Sequence, residues 1–186
     1  ISPIKSLATL PMSISVVGIA VGAIIATRVM SLIGRKYGFI LASIGNTLFS
    51  ILAAYSIYSQ NFILFCFANV FIGIGMAFTH QYRFAAAESV NKEMAPKAIS
   101  IILFGGIISA FLGPSLANFS KDLISENLYV GSYLALALLT FIPSILFLFY
   151  EDNSKLEINL QYKGRSYIEL ISQPRFFQAV CASAFG

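Results

Sequence analysis

The sequence predicts an all-α polytopic membrane protein, and three observations lead to this fold class. Five apolar stretches fill most of the 186 residues, and each is close to the ~20 residues that a helix needs to cross a ~30 Å hydrocarbon core. Hydrophobic residues make up 58% of the chain and charged residues 11%, with a mean hydropathy of +0.81. Such a composition is hard to keep soluble in water. The basic residues also lie almost entirely on alternate loops.

The predicted spans follow one another with short polar connections. A further apolar run begins at Phe176 and stops at the end of the chain, and the chain begins with Ile1 rather than Met. We therefore expect the sequence to be a piece of a longer protein in which another helix precedes the first span. The five spans are residues 8–30, 37–58, 62–90, 98–119 and 130–150, and the third is most apolar over residues 62–79.

The distribution of Lys and Arg predicts the orientation of the spans, because these residues are retained on the cytoplasmic side. Nine of the 12 lie on one set of loops, whereas Lys5 and Lys121 lie on the other set and Arg28 lies near the end of the first span. The loops at 31–36, 91–97 and 151–175 are therefore expected in the cytoplasm, with the protein in the inner or plasma membrane. This topology also explains the net charge of +4, so no nucleic-acid partner is predicted.

The sequence contains no pattern typical of an enzyme or of a cofactor site. Its one His and two Cys do not have metal-ligand spacing, and neither a Ser-His-Asp set nor a glycine-rich phosphate loop is present. Cys66 and Cys181 both lie in apolar runs, so small buried side chains are favoured over a disulfide. We predict no catalytic residues, no metal and no cofactor.

Small residues and helix breakers occur at several positions within the spans. Gly18 and Gly22 form a small-xxx-small pair, which permits close approach of a neighbouring helix. The fourth span contains Gly105, Gly106 and the pair Gly113-Pro114, and a proline there bends or loosens a helix. Ordinary packing and a moving interface both account for these positions.

Three short segments resemble motifs of the major facilitator superfamily. Residues 31–36, which end in Gly34-Arg35-Lys36, are similar to the loop between that family's helices two and three. Residues 69–75, which contain Gly73 and Gly75, resemble its helix-four motif, and residues 105–114 resemble the helix-five motif of drug/proton antiporters. The conformational or gating residues implied by this resemblance are Gly34, Arg35, Lys36, Gly73, Gly75, Gly105, Gly106, Gly113 and Pro114.

The resemblance implies a major-facilitator-like helical bundle, in which this chain is the N-terminal half without its first helix. Residues 151–175 would be the cytoplasmic linker between halves, with residues 167–171 as a short amphipathic helix or a plain solvated loop, and residues 176–186 would begin helix seven. The chain departs from the loop motif at Thr27, Ser31 and Leu32, where the family has Gly, an acidic residue and Arg. Asn69 stands where the helix-four motif has Arg.

The most unusual polar residues follow the third span. Helical spacing places a set of residues on one stripe, because steps of three and four stay on one face. The stripe contains Asn69, Gly73, Met76, His80 and Arg83. Because helix four lines the central cavity in the resembled fold, the substrate candidates are the stripe residues Asn69, Met76, His80 and Arg83, together with the neighbouring Gln81. Arg83 is either an anion anchor or a cytoplasmic-end anchor, His80 either a ligand or a helix-end residue. Glu88 is expected to pair with Lys92 at i,i+4.

Two functional hypotheses remain. The first is a secondary active transporter that moves a small solute, with an anionic solute favoured, by alternating access coupled to an ion such as the proton. The second is a non-transporting membrane receptor, scaffold or assembly partner with the same fold. In both cases the lipid bilayer is a partner, and the sequence does not determine the substrate or the direction of transport.

Overall fold

The computed structural model describes residues 7–124 and 128–150, together with Gln173 and Gln178. The chain divides into two compact units, Ile1–Ser154 and Lys155–Gly186. The described residues of the first unit form helices joined by turns, with no strand among them. The helices are α1 (Leu10–Ile33), α2 (Arg35–Tyr58), α3 (Phe62–Thr79), α4 (Tyr82–Glu88), α5 (Ala95–Ser120) and α6 (Val130–Leu146).

Four helical stretches of this part of the chain are long and apolar enough to cross a membrane. They are α1, α2, α3 together with α4, and α5, whereas α6 is a shorter apolar helix of 17 residues. The sequence predicted one helix over 62–90, but turns at His80 and Gln81 separate α3 from α4. It also predicted a span to residue 150, but α6 ends at Leu146 and turns follow. The predicted linker at 151–175, the helix at 167–171 and the run at 176–186 lie outside the described residues, apart from Gln173 and Gln178.

Helices α1 and α3 contact each other through small residues. A Cβ added at Gly18 would collide with the carbonyl oxygen of Val70, and one added at Gly22 would lie 2.7 Å from the Cα of Ile74. Gly73 in turn faces the backbone of Ser15. Without these side chains the two backbones approach closely, which is how membrane helices gain packing energy where no hydrophobic driving force exists between them.

Helix α2 lies against both α3 and α6, and its contact with α6 combines the apolar residues Ala54, Ile57 and Val130 with polar side chains. The hydroxyl of Ser43 donates to the carbonyl oxygen of Thr140, and the hydroxyls of Thr47 and Thr140 lie 3.3 Å apart. Hydroxyl groups that bond across helices or to their own helix leave no unsatisfied donor in an apolar environment. These bonds therefore connect α2 to the middle of α6.

The connection between α2 and α3 is short because both helix ends are capped locally. Gln60 has a φ of 54° and donates its backbone N–H to Ile57, while Asn61 donates to Ser56. This is a Schellman ending, in which the left-handed residue lets the last carbonyl groups of a helix find donors. The side chain of Asn61 then accepts from the N–H of Leu64 at 3.0 Å, which caps the start of α3.

Helix α5 differs from the others because its middle has no neighbour among the described residues. Every residue from 101 to 116 is exposed, and a Cβ at Gly105, Gly106 or Gly113 would meet no atom within 4 Å. Its C-terminal end does pack, because the Ser132 hydroxyl donates to the carbonyl oxygen of Ala117 at 2.6 Å. An apolar helix of this kind is stable in lipid or against another helix, not in water.

Candidate functional site

The connection between α1 and α2 is a single residue, Gly34, which has a φ of 86°. This conformation is strained for residues with a Cβ, so glycine is favoured here. The N–H of Gly34 donates to the carbonyl oxygen of Met30. This bond closes the last turn of α1, which ends at Ile33. The sharp turn places Arg35 and Lys36 in the first turn of α2.

Arg35 forms an ion pair with Glu88 at the end of α4. The Nη2 to Oε1 distance is 2.6 Å, and the two side chains are 21% and 53% exposed. The expected pair of Glu88 with Lys92 is therefore wrong. The physical reason is that α4 ends at Glu88 and residues 89–94 form turns and a bend rather than a helix, so Lys92 is not one helical turn further along.

Lys36 connects the start of α2 to the segment after α6. Its Nζ donates to the carbonyl oxygen of Leu148 at 2.7 Å. Beneath this bond the rings of Phe39, Tyr82 and Phe147 pack together, with centroids 4.8 to 5.2 Å apart, and Phe39 is fully buried. Together with the Arg35–Glu88 pair, this cluster joins the start of α2, helix α4 and the end of α6. We call it the basic-end cluster: Arg35, Lys36, Phe39, Tyr82, Glu88 and Phe147.

The five predicted stripe residues do not share one environment. Asn69 is only 8% exposed; its amide donates to the carbonyl oxygen of Phe65 at 2.8 Å, and its Oδ1 lies 3.5 Å from the Tyr133 hydroxyl of α6. Gly73 is buried against α1. The stripe is thus covered at one end by α1 and α6, because helical spacing alone does not show where neighbouring helices lie.

The other end of the stripe is open among the described residues. Met76 is 43% exposed, and His80 and Arg83 are exposed on the turn and on α4. The Arg83 guanidinium carbon lies 4.9 Å from the centroid of the exposed Phe84 ring, a cation–π geometry. Gln81 is half-buried. The structure therefore brings His80, Gln81 and Arg83 together near the basic-end cluster, and it separates Asn69 from them.

The remaining sequence candidates fall into two groups. Gly18, Gly22, Gly73 and Gly75 lie in helix contacts, whereas Gly105, Gly106 and Gly113 face open space among the described residues. Helix α5 continues through Pro114 to Ser120.

Sequence reasoning missed two partners that the structure supplies, Glu88 for Arg35 and Tyr133 for Asn69. For the first pair a signal existed. Ser31 replaces the acidic residue of the loop motif, so Arg35 needed a carboxylate from elsewhere in the chain. For Tyr133 the sequence carried no comparable signal.

Comparisons with known proteins identify relatives of the whole chain. A sequence model described as the Major Facilitator Superfamily matches residues 4–186. The Riboflavin transporter RfnT of Brucella anthropi is 30% identical over 179 residues, which is 95% of this chain and 45% of that protein. The chain thus spans somewhat less than half of the length of this curated relative. No solved structure matches it.

Proposed function

The chain belongs to the Major Facilitator Superfamily, and we propose that it is part of a secondary active transporter that moves a small solute across a membrane by alternating access. In such transporters two halves of the molecule move as bodies around a central site. We assign residues 1–150 of this chain to helices two to six of the N-terminal half, residues 151–175 to the linker between halves and residues 176–186 to the start of helix seven. As a multi-pass membrane protein of a family of transporters, it is not an enzyme.

The observation that carries the proposal is the basic-end cluster. A half that moves as one body needs its helices joined at their ends, and here Arg35 and Lys36 join α2 to Glu88 of α4 and to Leu148 after α6. The exposed middle of α5 is a surface on which another part of the protein can move. The exposed group of Met76, His80 and Arg83 lies at the end where a solute enters or leaves.

For the solute we propose riboflavin as the first compound to test, because a relative that is 30% identical is named a riboflavin transporter. The exposed Arg83 provides a permanent positive charge, which favours an anionic solute. Riboflavin and riboflavin 5′-phosphate therefore form a matched pair of probes that differ in charge. His80, the one histidine of the chain, is our candidate for proton coupling, because an imidazole ring can both accept and donate a proton.

The test is uptake into vesicles that contain the full-length protein. We expect saturable entry of riboflavin or its phosphate above protein-free vesicles, and we expect a pH gradient to increase it. If neither compound enters and neither binds, the solute assignment is wrong. Binding without flux, in either direction and with or without a gradient, would support the receptor or scaffold hypothesis instead.

A further inference from the structure

The contact between α2 and α3 has a feature that the transport proposal does not use. Asn46 of α2 lies against Gly75 of α3, where a Cβ would collide with the carboxamide and would lie 2.7 Å from its Nδ2. Asn46 is 8% exposed. The side chain of Asn46 thus fills the space that the missing side chain of Gly75 leaves.

Stability does not explain an asparagine at this position. Its Oδ1 is buried without a hydrogen-bond partner, and so is the hydroxyl of Ser50 one turn further along α2. A buried polar atom without a partner costs free energy that an apolar side chain of similar size would not. A single buried asparagine between helices can instead fix their register at a cost in stability.

Gly75 also differs from the other close-packed glycines of α1 and α3. Gly18, Gly22 and Gly73 each have backbone atoms of the facing helix as nearest neighbours, whereas the nearest atoms to a Cβ at Gly75 all belong to one side chain. Shortening that side chain would make room at Gly75. No side-chain change would make room at Gly73, because the carbonyl group of Ser15 is part of the backbone.

We propose that Asn46 is a positioning residue that fixes the register of α3 against α2 through Gly75. This register sets the position of Met76, the next residue on α3, and of His80 one turn beyond it. The proposal rests on the transport proposal only where it concerns uptake, since the register itself can be measured without a solute.

The experiment uses the full-length protein with its native cysteines replaced and with Met76→Cys as a reporter. We measure the rate at which a maleimide labels that cysteine, and we measure the uptake of riboflavin in matched variants that keep Met76, because Met76 is itself a candidate solute contact. Gly75→Ala is expected to change the labelling rate and to lower uptake by about tenfold, and Asn46→Ala in the same chain is expected to restore both to within about twofold. Gly73→Ala is the matched control. Adding Asn46→Ala to this variant is not expected to restore its labelling rate or its uptake.

Asn46→Ala alone keeps the test decisive if Gly75→Ala fails to fold. We expect this variant to reach the membrane at normal abundance, with a Tm no lower than that of the parent, and to label at position 76 at least about threefold faster or slower. Unchanged labelling of position 76 in Asn46→Ala would overturn the proposal. So would labelling and uptake in the Asn46→Ala/Gly75→Ala double variant that are no closer to the parent than in Gly75→Ala alone. An equal restoration of Gly73→Ala by Asn46→Ala would overturn it as well. Labelling as expected without any riboflavin uptake would contradict riboflavin transport and still support the register.

Discussion

At the scale of single residues, Arg83 makes the sharpest distinction between a solute contact and a membrane anchor. Its guanidinium is exposed and stacks over Phe84, so it is available for either role. An anchor needs only a charge that reaches the headgroups, which Lys also supplies. A bidentate contact with a carboxylate or phosphate needs the planar fork of Arg.

The first prediction compares Arg83→Lys, Arg83→Ala and the control Lys92→Ala, a nearby exposed basic residue outside the proposed site. We expect uptake of the anionic probe to fall about tenfold or more with Ala and clearly with Lys, because the lost contact is charge-assisted, while Lys92→Ala stays near wild type. The measurement is initial uptake rate at matched membrane abundance. A Lys variant that equals wild type would leave Arg83 as an anchor.

The second prediction concerns the Arg35–Glu88 pair, which is partly exposed on both sides. Because water screens such pairs, their coupling energy is at most about 1 kcal/mol. We therefore expect Arg35→Ala and Glu88→Ala each to change Tm little, and the double variant to change it by less than the sum of the two. Each variant is nevertheless expected to reduce uptake, because the end of α4 is released from α2. A double-mutant cycle, with Tm and uptake measured for each variant, gives the coupling between the two side chains in stability and in transport. Strict additivity in both would show that the two side chains do not interact in the membrane.

At the scale of helices, glycines that look alike in the sequence have different surroundings. Gly18 faces the Val70 carbonyl group, whereas Gly113 faces open space among the described residues. The third prediction is that Gly18→Leu prevents folding and lowers membrane abundance, because the backbone of α3 cannot move aside. Gly113→Leu is expected to leave abundance normal and to abolish uptake, because α5 then cannot approach the other half of the transporter.

Membrane abundance by immunoblot and riboflavin uptake, measured for both variants, test this contrast. The Gly45→Leu variant is a suitable control, since a Cβ at Gly45 also meets nothing within 4 Å while its helix α2 is packed on other faces. Wild-type uptake in Gly113→Leu at equal abundance would show that the open face of α5 is not used. Normal folding of Gly18→Leu would contradict the close α1–α3 contact.

Hydropathy averaged over a span does not show short breaks within it. The run from Phe62 through Glu88 is apolar enough to be read as one helix, yet the chain turns at His80, where the N–H of Gln81 donates to Phe78 three residues back. A short-range turn of this kind changes no average over 18 residues. The start of α3 has a local cause, because the Asn61 side chain accepts from the N–H of Leu64 and Asn is a residue type that caps helix starts.

At the scale of the whole molecule, composition and loop charge predict that the chain crosses a membrane several times, and three short motifs predicted the family that the comparison confirms. Neither the composition and loop charge nor the motifs could predict which helices contact each other. The contact of Asn69 with Tyr133 joins residues 64 positions apart, and that of Arg35 with Glu88 joins residues 53 apart. Such pairs depend on how the helices pack, and a periodic pattern describes only one helix at a time.

The structure shows which loops lie at the same end of the bundle, and loop charge alone predicts which end is cytoplasmic. The Arg35–Glu88 and Lys36–Leu148 bonds place the start of α2, the end of α4 and the end of α6 at one end of the bundle. Lys92, in the turns between α4 and α5, follows Glu88 closely, whereas Lys121 follows the C-terminal end of α5 after a helix of 26 residues. At about 1.5 Å per residue α5 is ~39 Å long, enough to separate Lys92 and Lys121 across a bilayer.

The fourth prediction follows from this separation. With Lys92→Cys or Lys121→Cys in a full-length protein without other cysteines, we expect an impermeant maleimide to label position 121 in intact cells and position 92 only after permeabilisation. Permeabilised cells, in which both positions should react, control for local accessibility. The reverse pattern would invert the bundle and put the basic-end cluster outside. Labelling of both positions in intact cells would mean that α5 does not cross the bilayer, and a half-transporter built on that helix would then be untenable.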